Sequence, residues 1–117
     1  MVGRILDLAA LLPGEPVLEI GPGIGTLTDA LLRRGAHVVA VEYDARLLPV
    51  LAELDARTGS LAVVNADAVG VDMSALVTPA GPPCALVANL PYAVAATVVL
   101  RFFESMPSLE RATSRKW

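Results

Sequence analysis

Cysteine and histidine are scarce in this chain of 117 residues, and each scarcity excludes a class of chemistry. The single cysteine, Cys84, excludes an intrachain disulfide framework and any zinc site built from cysteines, so we predict no metal site. Cys84 opens an apolar run, and we interpret it as a core residue rather than a nucleophile. The single histidine, His37, opens a predicted strand away from the candidate site, which disfavours a catalytic role. One reduced cysteine also suits the cytoplasm, where we expect this protein to reside.

Positive charge is scarce as well. The formal net charge is −3, and residues 1–100 contain five arginines against ten acidic residues. A complete enzyme that acts on nucleic acid usually carries a basic face for the phosphates. If the substrate is RNA, we therefore expect the surface that holds it to lie largely outside this part of the chain.

Targeting and membrane segments are not indicated. Arg4, Asp7 and Glu15 interrupt the only candidate for a signal peptide. Residues 73–100 contain no charge and have the length of a membrane span. Six residues break this stretch into short pieces: Pro79, Gly81, Pro82, Pro83, Asn89 and Pro91. A buried strand followed by a mostly buried helix explains it better.

Strand and helix patterns alternate along the chain. The predicted strands are Pro16–Ile20, His37–Glu42, Leu61–Asn65 and Cys84–Ala88. The predicted helices are Val2–Leu12, one from Leu27 to Arg34, one that follows Asp44 and is kinked or delayed by Pro49, and Ala93–Ser105, packed by Val94, Val98 and Phe102. The strands are apolar on both faces, which is typical of a parallel sheet covered by helices on both sides.

Polar segments follow each of the four predicted strands. In a parallel sheet of this kind, ligands bind at the carboxyl ends of the strands. The segments are Glu19–Gly25, Glu42, Asp67 and Asn89–Tyr92. Their common position at one edge of the sheet predicts a single ligand site.

The first segment is a glycine loop containing Gly21, Gly23 and Gly25. These glycines allow a tight turn and a close approach of the backbone to a ligand. The alternatives are a plain strand-to-helix turn and a dinucleotide site, but a dinucleotide site requires two residues between the second and third glycines, and here there is only Ile24. Glu19 would repel a phosphate and would suit a cationic ligand. The loop therefore favours S-adenosylmethionine, which leaves S-adenosylhomocysteine as its product.

Glu42 ends the second predicted strand, and Asp67 follows the third. Glu42 lies 21 residues after Gly21, where a carboxylate can accept hydrogen bonds from both ribose hydroxyls. Its alternative role is a solvated acid that caps the following helix. Asp67 could accept a hydrogen bond from the amino group of the cofactor's adenine, or it could be an ordinary loop aspartate.

The tetrapeptide Asn89-Leu90-Pro91-Tyr92 fits a target that is an aromatic amine. Such a nitrogen is a poor nucleophile because its lone pair is delocalised into the ring. The Asn89 side-chain oxygen and the Leu90 carbonyl could accept both amino hydrogens, while Pro91 stiffens the turn. Tyr92 could stack on a base drawn out of its helix. The alternative is an ordinary turn after a strand.

These motifs together resemble the rRNA adenine N6,N6-dimethyltransferases, which include the bacterial small-subunit enzyme and the erythromycin-resistance methylases. The matching segments are Val17–Gly23, Val41–Glu42, Asn65–Ala68 and Asn89–Tyr92. The resemblance implies a doubly wound, Rossmann-like methyltransferase sheet with strand order 3-2-1-4. It also implies that Gly21, Glu42, Asp67 and Asn89 contact the cofactor. Further candidates for cofactor binding lie in the same segments: Glu19, Gly23, Gly25 and Ala68. The catalytic clamp it implies consists of Asn89, Leu90, Pro91 and Tyr92.

Within this family we favour the rRNA-processing enzyme that dimethylates two adjacent adenines of 16S rRNA. Alternatives are a 23S rRNA methylase of the erythromycin-resistance type, a methyltransferase acting on DNA or a small molecule, and a non-catalytic module that binds nucleic acid or a protein partner.

The family pattern also extends beyond this sequence. Its members carry an additional segment before the first strand, further sheet strands and a helical RNA-binding domain. We therefore expect residues 1–117 to be a partial S-adenosylmethionine-binding domain of about four strands, with little activity alone. We also expect the edge of the fourth strand to be bare, which would favour self-association.

Overall fold

The computed structural model describes residues 14–90 and 92–114, apart from the side chains at positions 92, 93, 113 and 114. The predicted helix Val2–Leu12 lies outside the described residues. The described strands are β1 (Pro16–Ile20), β2 (His37–Glu42), β3 (Leu61–Asn65), β4 (Ala85–Ala88) and β5 (Arg111–Ser114). The described α-helices are α1 (Thr26–Arg33), α2 (Leu48–Thr58) and α3 (Tyr92–Ser105), and short 3-10 turns occupy Ala45–Leu47 and Met73–Ala75.

All five strands run parallel in one sheet of order β3-β2-β1-β4-β5, which is a Rossmann-like arrangement. The predicted order 3-2-1-4 is confirmed and is extended by β5. One face of the sheet packs against Leu31 of α1 and Leu51 of α2, and the other packs against Phe102 of α3. Because both faces are covered, neighbouring strand residues such as Val17 and Leu18 are both fully buried.

The prediction of a bare fourth-strand edge is wrong. β5 pairs with β4 in parallel, with Ala85 opposite Arg111 and Ala88 opposite Ser114. The sequence of β5, Arg-Ala-Thr-Ser, contains a single apolar residue, so it lacks the pattern of a buried strand. Since β4 is covered, the predicted self-association through its edge has no structural basis.

The uncharged stretch, residues 73–100, is divided into short elements, as its prolines led us to predict. It contains the 3-10 turn Met73–Ala75, the strand β4 and the first part of α3. Among the described residues, no helix is both long enough and apolar enough to cross a bilayer.

Pro49 was predicted either to kink the helix that follows Asp44 or to delay its start. The structure shows the delayed start. Asp44 caps the 3-10 turn Ala45–Leu47 by accepting a hydrogen bond from the Arg46 backbone N–H. The α-helix then begins at Leu48, with Pro49 in its first turn. Proline is tolerated there because the first N–H groups of a helix have no partner within the helix.

The buried face of α3 differs from the prediction by one residue. Ala95, Val98 and Phe102 are buried, whereas Val94 is 48% exposed. Val98→Ala should therefore lower the free energy of unfolding by about 2 kcal/mol, the usual cost of removing buried methyl groups.

The matched control is Val94→Ala, which makes the same chemical change on the same helix. We expect it to alter stability by less than about 0.5 kcal/mol, because surface substitutions have small effects. Urea denaturation of the two variants measures the difference, and equal losses would contradict this assignment of the helix face.

Candidate functional site

Backbone hydrogen bonds join the carboxyl ends of the three central strands. The Gly21 N–H donates to the Val41 carbonyl at 3.0 Å, which ties the end of β1 to β2. The Asn89 N–H donates to the Ile20 carbonyl at 2.8 Å, which ties the end of β4 to β1. The glycine loop therefore lies between the acidic end of β2 and the Asn89 tetrapeptide.

Gly21 touches the tetrapeptide directly. Its φ is +74°, and a Cβ atom on it would lie 2.9 Å from the Asn89 carbonyl oxygen and 3.1 Å from the Leu90 side chain. Both the positive φ and the close approach exclude a larger residue. The backbone of β1 thus reaches the two residues that were predicted to hold the target amine.

Glu42 connects the glycine loop with the end of the second strand. It is buried, and its Oε1 accepts a hydrogen bond from the Gly23 N–H at 3.1 Å while Oε2 accepts one from the Asp44 N–H at 2.8 Å. Its main-chain carbonyl accepts the Ala66 N–H at 3.1 Å, which brings in the end of β3. Glu42 is therefore not a solvated acid, and Asp44 provides the helix cap instead. Each carboxylate oxygen retains a lone pair for a further donor.

Glu19 is a buried carboxyl beneath the glycine loop. Its Oε1 accepts a hydrogen bond of 2.5 Å from the Thr28 hydroxyl, whereas Oε2 is buried without a hydrogen-bond partner among the described residues. Burial raises the pKa of Glu19 from 4.5 to about 7; the Thr28 hydrogen bond opposes this rise, and the negative charge of Glu42 adds to it. A partly charged buried carboxyl with an unpaired oxygen favours a cationic partner.

Gly25 closes the glycine loop and is the N-cap residue of α1. Its φ is +91°, and a Cβ atom on it would lie 2.7 Å from the Leu54 side chain of α2. Its carbonyl accepts the Asp29 N–H at 2.8 Å. Gly25 therefore lets α1 and α2 pack closely, and its contact with the cofactor stays a prediction.

Asp67 lies in an exposed turn after β3. Its Oδ1 accepts a hydrogen bond from the Val69 N–H at 2.9 Å, and its carbonyl accepts the Gly70 N–H at 3.1 Å. Oδ2 has no hydrogen-bond partner among residues 14–90 and 92–114, so it is available to a ligand. The next residue, Ala68, is half-buried, and its carbonyl accepts a hydrogen bond from Arg101.

Asn89 presents an unpaired acceptor. Its Oδ1 is buried and has no hydrogen-bond partner in the described structure. An unsatisfied buried oxygen costs about 1–3 kcal/mol, so its presence favours a bound donor. Leu90 is half-buried against the core. Pro91 and the side chain of Tyr92 lie outside the described residues, and their roles stay predictions.

Cys84 and His37 lie at the opposite end of the sheet, where β4 and β2 begin. The Cys84 thiol is half-buried and donates to Glu15 Oε1 at 3.1 Å. Burial and the negative charge of Glu110 raise the pKa of the thiol, which disfavours the nucleophilic thiolate.

Two further residues support the site without having been predicted. Thr28 is fully buried and pairs with Glu19, and Arg101 pairs with the loop after β3. A polar residue on the apolar face of α1 was the available signal for Thr28. The signal for Arg101 was its place in the sequence, as the first charged residue after a long uncharged stretch.

Comparison with known proteins assigns the chain to a family. A family profile described as "Ribosomal RNA adenine dimethylase" matches residues 1–115. The chain belongs to the ribosomal RNA adenine dimethylase family. The resemblance predicted from the four strand-end motifs is therefore confirmed.

Two curated relatives in this family are bacterial proteins of the same name. The chain is 48% identical over 106 residues to "Ribosomal RNA small subunit methyltransferase A" of Sphingopyxis alaskensis, covering 86% of this chain and 38% of the relative. It is 49% identical over 107 residues to the protein of the same name from Cereibacter sphaeroides, covering 90% and 37%. The chain thus spans less than two fifths of the length of these relatives.

Solved structures share the dimethylase family's fold. The structure of the 23S rRNA methyltransferase ErmE has a TM-score of 0.73 and 34% identity, covering 98% of this chain and 44% of that chain. A phosphoethanolamine N-methyltransferase from Haemonchus contortus, solved with S-adenosylhomocysteine, has a TM-score of 0.68 and 21% identity, covering 94% and 23%. The fold is that of the S-adenosylmethionine-dependent methyltransferases.

Proposed function

We propose that this chain is the S-adenosylmethionine-binding part of a cytoplasmic enzyme that methylates adenine N6 amino groups in small-subunit ribosomal RNA. The observation that carries the proposal is the buried, unpaired Oδ1 of Asn89 on a segment packed against Gly21. An acceptor without a donor at this position fits an amine that arrives with the substrate. The names of the bacterial relatives favour 16S rRNA as that substrate.

The residues present fit the cofactor. S-adenosylmethionine supplies an electrophilic methyl group when it is bound. Glu42 would accept hydrogen bonds from ribose hydroxyls with its remaining lone pairs, and Asp67 Oδ2 would accept one from the adenine amino group. The loop from Gly21 to Gly23 would let the backbone approach the ligand, and Glu19 would lie below it as the negative partner for a cationic group. Ala68 adjoins Asp67, and its carbonyl accepts the hydrogen bond from Arg101.

The target base would be held by the tetrapeptide. Asn89 Oδ1 and the Leu90 carbonyl would accept the two amino hydrogens of the target adenine, which localises the lone pair of that nitrogen. Pro91 would limit the conformations of the turn, and Tyr92 would stack on the flipped base. Catalysis of this kind depends on position and electrostatics and needs no covalent link to the protein.

Calorimetry with S-adenosylhomocysteine tests the cofactor part of the proposal. We expect the chain to bind it, Glu42→Ala to weaken binding by at least about tenfold, and Asp67→Ala to weaken it by roughly fivefold, since each removes one or two hydrogen bonds. Glu53→Ala is the matched control, because Glu53 is an exposed acid on α2 away from the site. Absence of binding by the wild type, or equal losses in Glu42→Ala and Glu53→Ala, would overturn the proposal.

A tritiated-methyl transfer assay on undermethylated small ribosomal subunits tests the reaction. Because little activity is expected of residues 1–117 alone, the expected label is weak; it should lie at adenine N6 in 16S rRNA and fall at least about tenfold in Asn89→Ala. The 34% identity to ErmE favours 23S rRNA as the second candidate substrate. Label that appears preferentially in protein-free 23S rRNA would support that candidate instead.

A further inference from the structure

Arg101 joins α3 to the loop that follows β3. Its Nη1 donates to the Ala68 carbonyl at 3.0 Å, and its Nη2 donates to the Val71 carbonyl at 3.1 Å. These partners are 33 and 30 residues away in sequence. The guanidinium also lies 5.5 Å from the centre of the Phe102 ring, and the residue is half-buried. Arg101 is therefore held in place on the helix and spans two points of the loop.

The loop itself is stabilised mainly by local hydrogen bonds. Asp67 accepts the Val69 N–H with its side chain and the Gly70 N–H with its carbonyl, which fixes the turn but not its position relative to the sheet. The ends of the loop are held at Ala66, whose N–H donates to the Glu42 carbonyl at 3.1 Å, and at Val71, which is buried. Among the described side chains, Arg101 is the one that hydrogen-bonds to the loop from a distant part of the chain.

An arginine suits this connection better than other residues. Its planar guanidinium carries donors on two nitrogens that diverge, so it can satisfy two carbonyls at once. Hydrogen bonds from a charged donor are roughly twice as strong as neutral ones. Carbonyls in a half-buried loop also need partners, since leaving them unpaired is costly.

We propose that Arg101 is a positioning residue for the cofactor: by holding the Ala68 and Val71 carbonyls, it sets where the Asp67 carboxylate lies. This inference rests on the proposed function of the site. Because α3 begins at Tyr92, two residues after Leu90, the segment proposed to hold the target base leads into the same helix. Arg101 thus fixes the adenine end of the cofactor site and the base clamp to one rigid element.

The experiment compares Arg101→Met, Arg101→Lys and Arg57→Met with the wild type by calorimetry with S-adenosylhomocysteine. We expect Arg101→Met to weaken binding about fivefold, equivalent to about 1 kcal/mol, which is as much as the loss of the Asp67 carboxylate itself. Arg101→Lys keeps the charge but places its donors on one nitrogen, so it should recover part of the loss. Arg57 lies exposed in the last turn of α2, and its variant should bind like the wild type.

A double-mutant cycle separates positioning from general stability. In an Asp67→Ala background, Arg101→Met should weaken binding by less than about twofold, because the carboxylate through which it acts is gone. A merely structural role for Arg101 would give the same loss in both backgrounds. Hydrogen exchange at the Val69 and Gly70 amides gives a readout without ligand, and both should exchange faster in Arg101→Met.

Each outcome has a separate meaning. Binding by Arg101→Met equal to wild type, or additive losses in the cycle, would overturn the positioning role and leave the proposed function intact. If the wild type does not bind S-adenosylhomocysteine, the proposed function fails and the cofactor role of Arg101 fails with it. Exchange at Val69 and Gly70 would then still show whether Arg101 orders the loop.

Discussion

Gly21→Ala should lower the free energy of unfolding by about 3 kcal/mol and abolish measurable binding of S-adenosylhomocysteine. The backbone at Gly21 has a φ of +74°, which costs an alanine roughly 1–2 kcal/mol. The new Cβ would also lie 2.9 Å from the Asn89 carbonyl oxygen, a backbone atom at the end of β4. Overpacking of this kind costs roughly 1–3 kcal/mol, and relieving it would move the carbonyl and the amine acceptor beside it.

Gly23→Ala provides the control for Gly21→Ala. Gly23 also has a positive φ, +58°, but a Cβ atom there would have no neighbour within 4 Å. It should therefore lose only the strain of about 1 kcal/mol. Urea denaturation and calorimetry measure both variants. Equal losses of stability would show that backbone conformation alone, and not contact with the end of β4, requires glycine at position 21.

The Glu19 carboxyl should make stability depend on pH in the direction opposite to that of most acidic residues. Its pKa is about 7 in the folded protein and about 4.5 when exposed, so the folded state binds the extra proton between these values. Its contribution to stability is fully present below about pH 4.5 and is lost as the pH rises through 7. The total loss is about 3 kcal/mol, most of which falls between pH 5 and pH 8.

Glu19→Gln isolates this effect, because glutamine keeps the shape of the side chain and an acceptor for Thr28 but does not ionise. Other carboxyls titrate in both proteins, so the quantity to measure is the difference in free energy of unfolding between them. We expect this difference to shift in favour of Glu19→Gln by about 2 to 3 kcal/mol from pH 5 to pH 8. A difference constant within about 0.5 kcal/mol would mean that Glu19 does not change its protonation in this range.

The central strands were predictable because their pattern is strong. In a parallel sheet both faces of a strand are buried, so each reads as a short apolar run that ends at a polar residue. The bounds of β1, β2 and β3 agree with the prediction, and β4 begins one residue later than predicted. Their order followed from the family resemblance and not from the apolar pattern.

Two parts of the fold carry weak patterns. β5 is an edge strand of mostly polar residues, and nothing in Arg-Ala-Thr-Ser distinguishes it from a loop. On α3, the prediction placed Val94 on the buried face instead of Ala95. Alanine is found both inside and outside proteins, so a helix rich in alanine and valine does not reveal which side faces the core.

The positions of the site residues could be predicted, but their contacts could not. Parallel topology places the residues after each strand at one edge, so Gly21, Glu42 and Asn89 had to be close. The pairing of Thr28 with Glu19 depends on how α1 lies over the sheet. The pairing of Arg101 with Ala68 joins segments that share no local pattern. Such contacts arise from packing, which sequence spacing does not encode.

The central position of β1 also determines the order in which this chain can acquire its structure during synthesis. β1 pairs on one side with β2, but its other neighbour is β4, and Pro16 accepts a hydrogen bond from Cys84, 68 residues later. Contacts so distant in sequence slow folding, because the loop must close before they form. Until β4 leaves the ribosome, one edge of β1 stays unpaired, and unpaired strand edges are prone to aggregate.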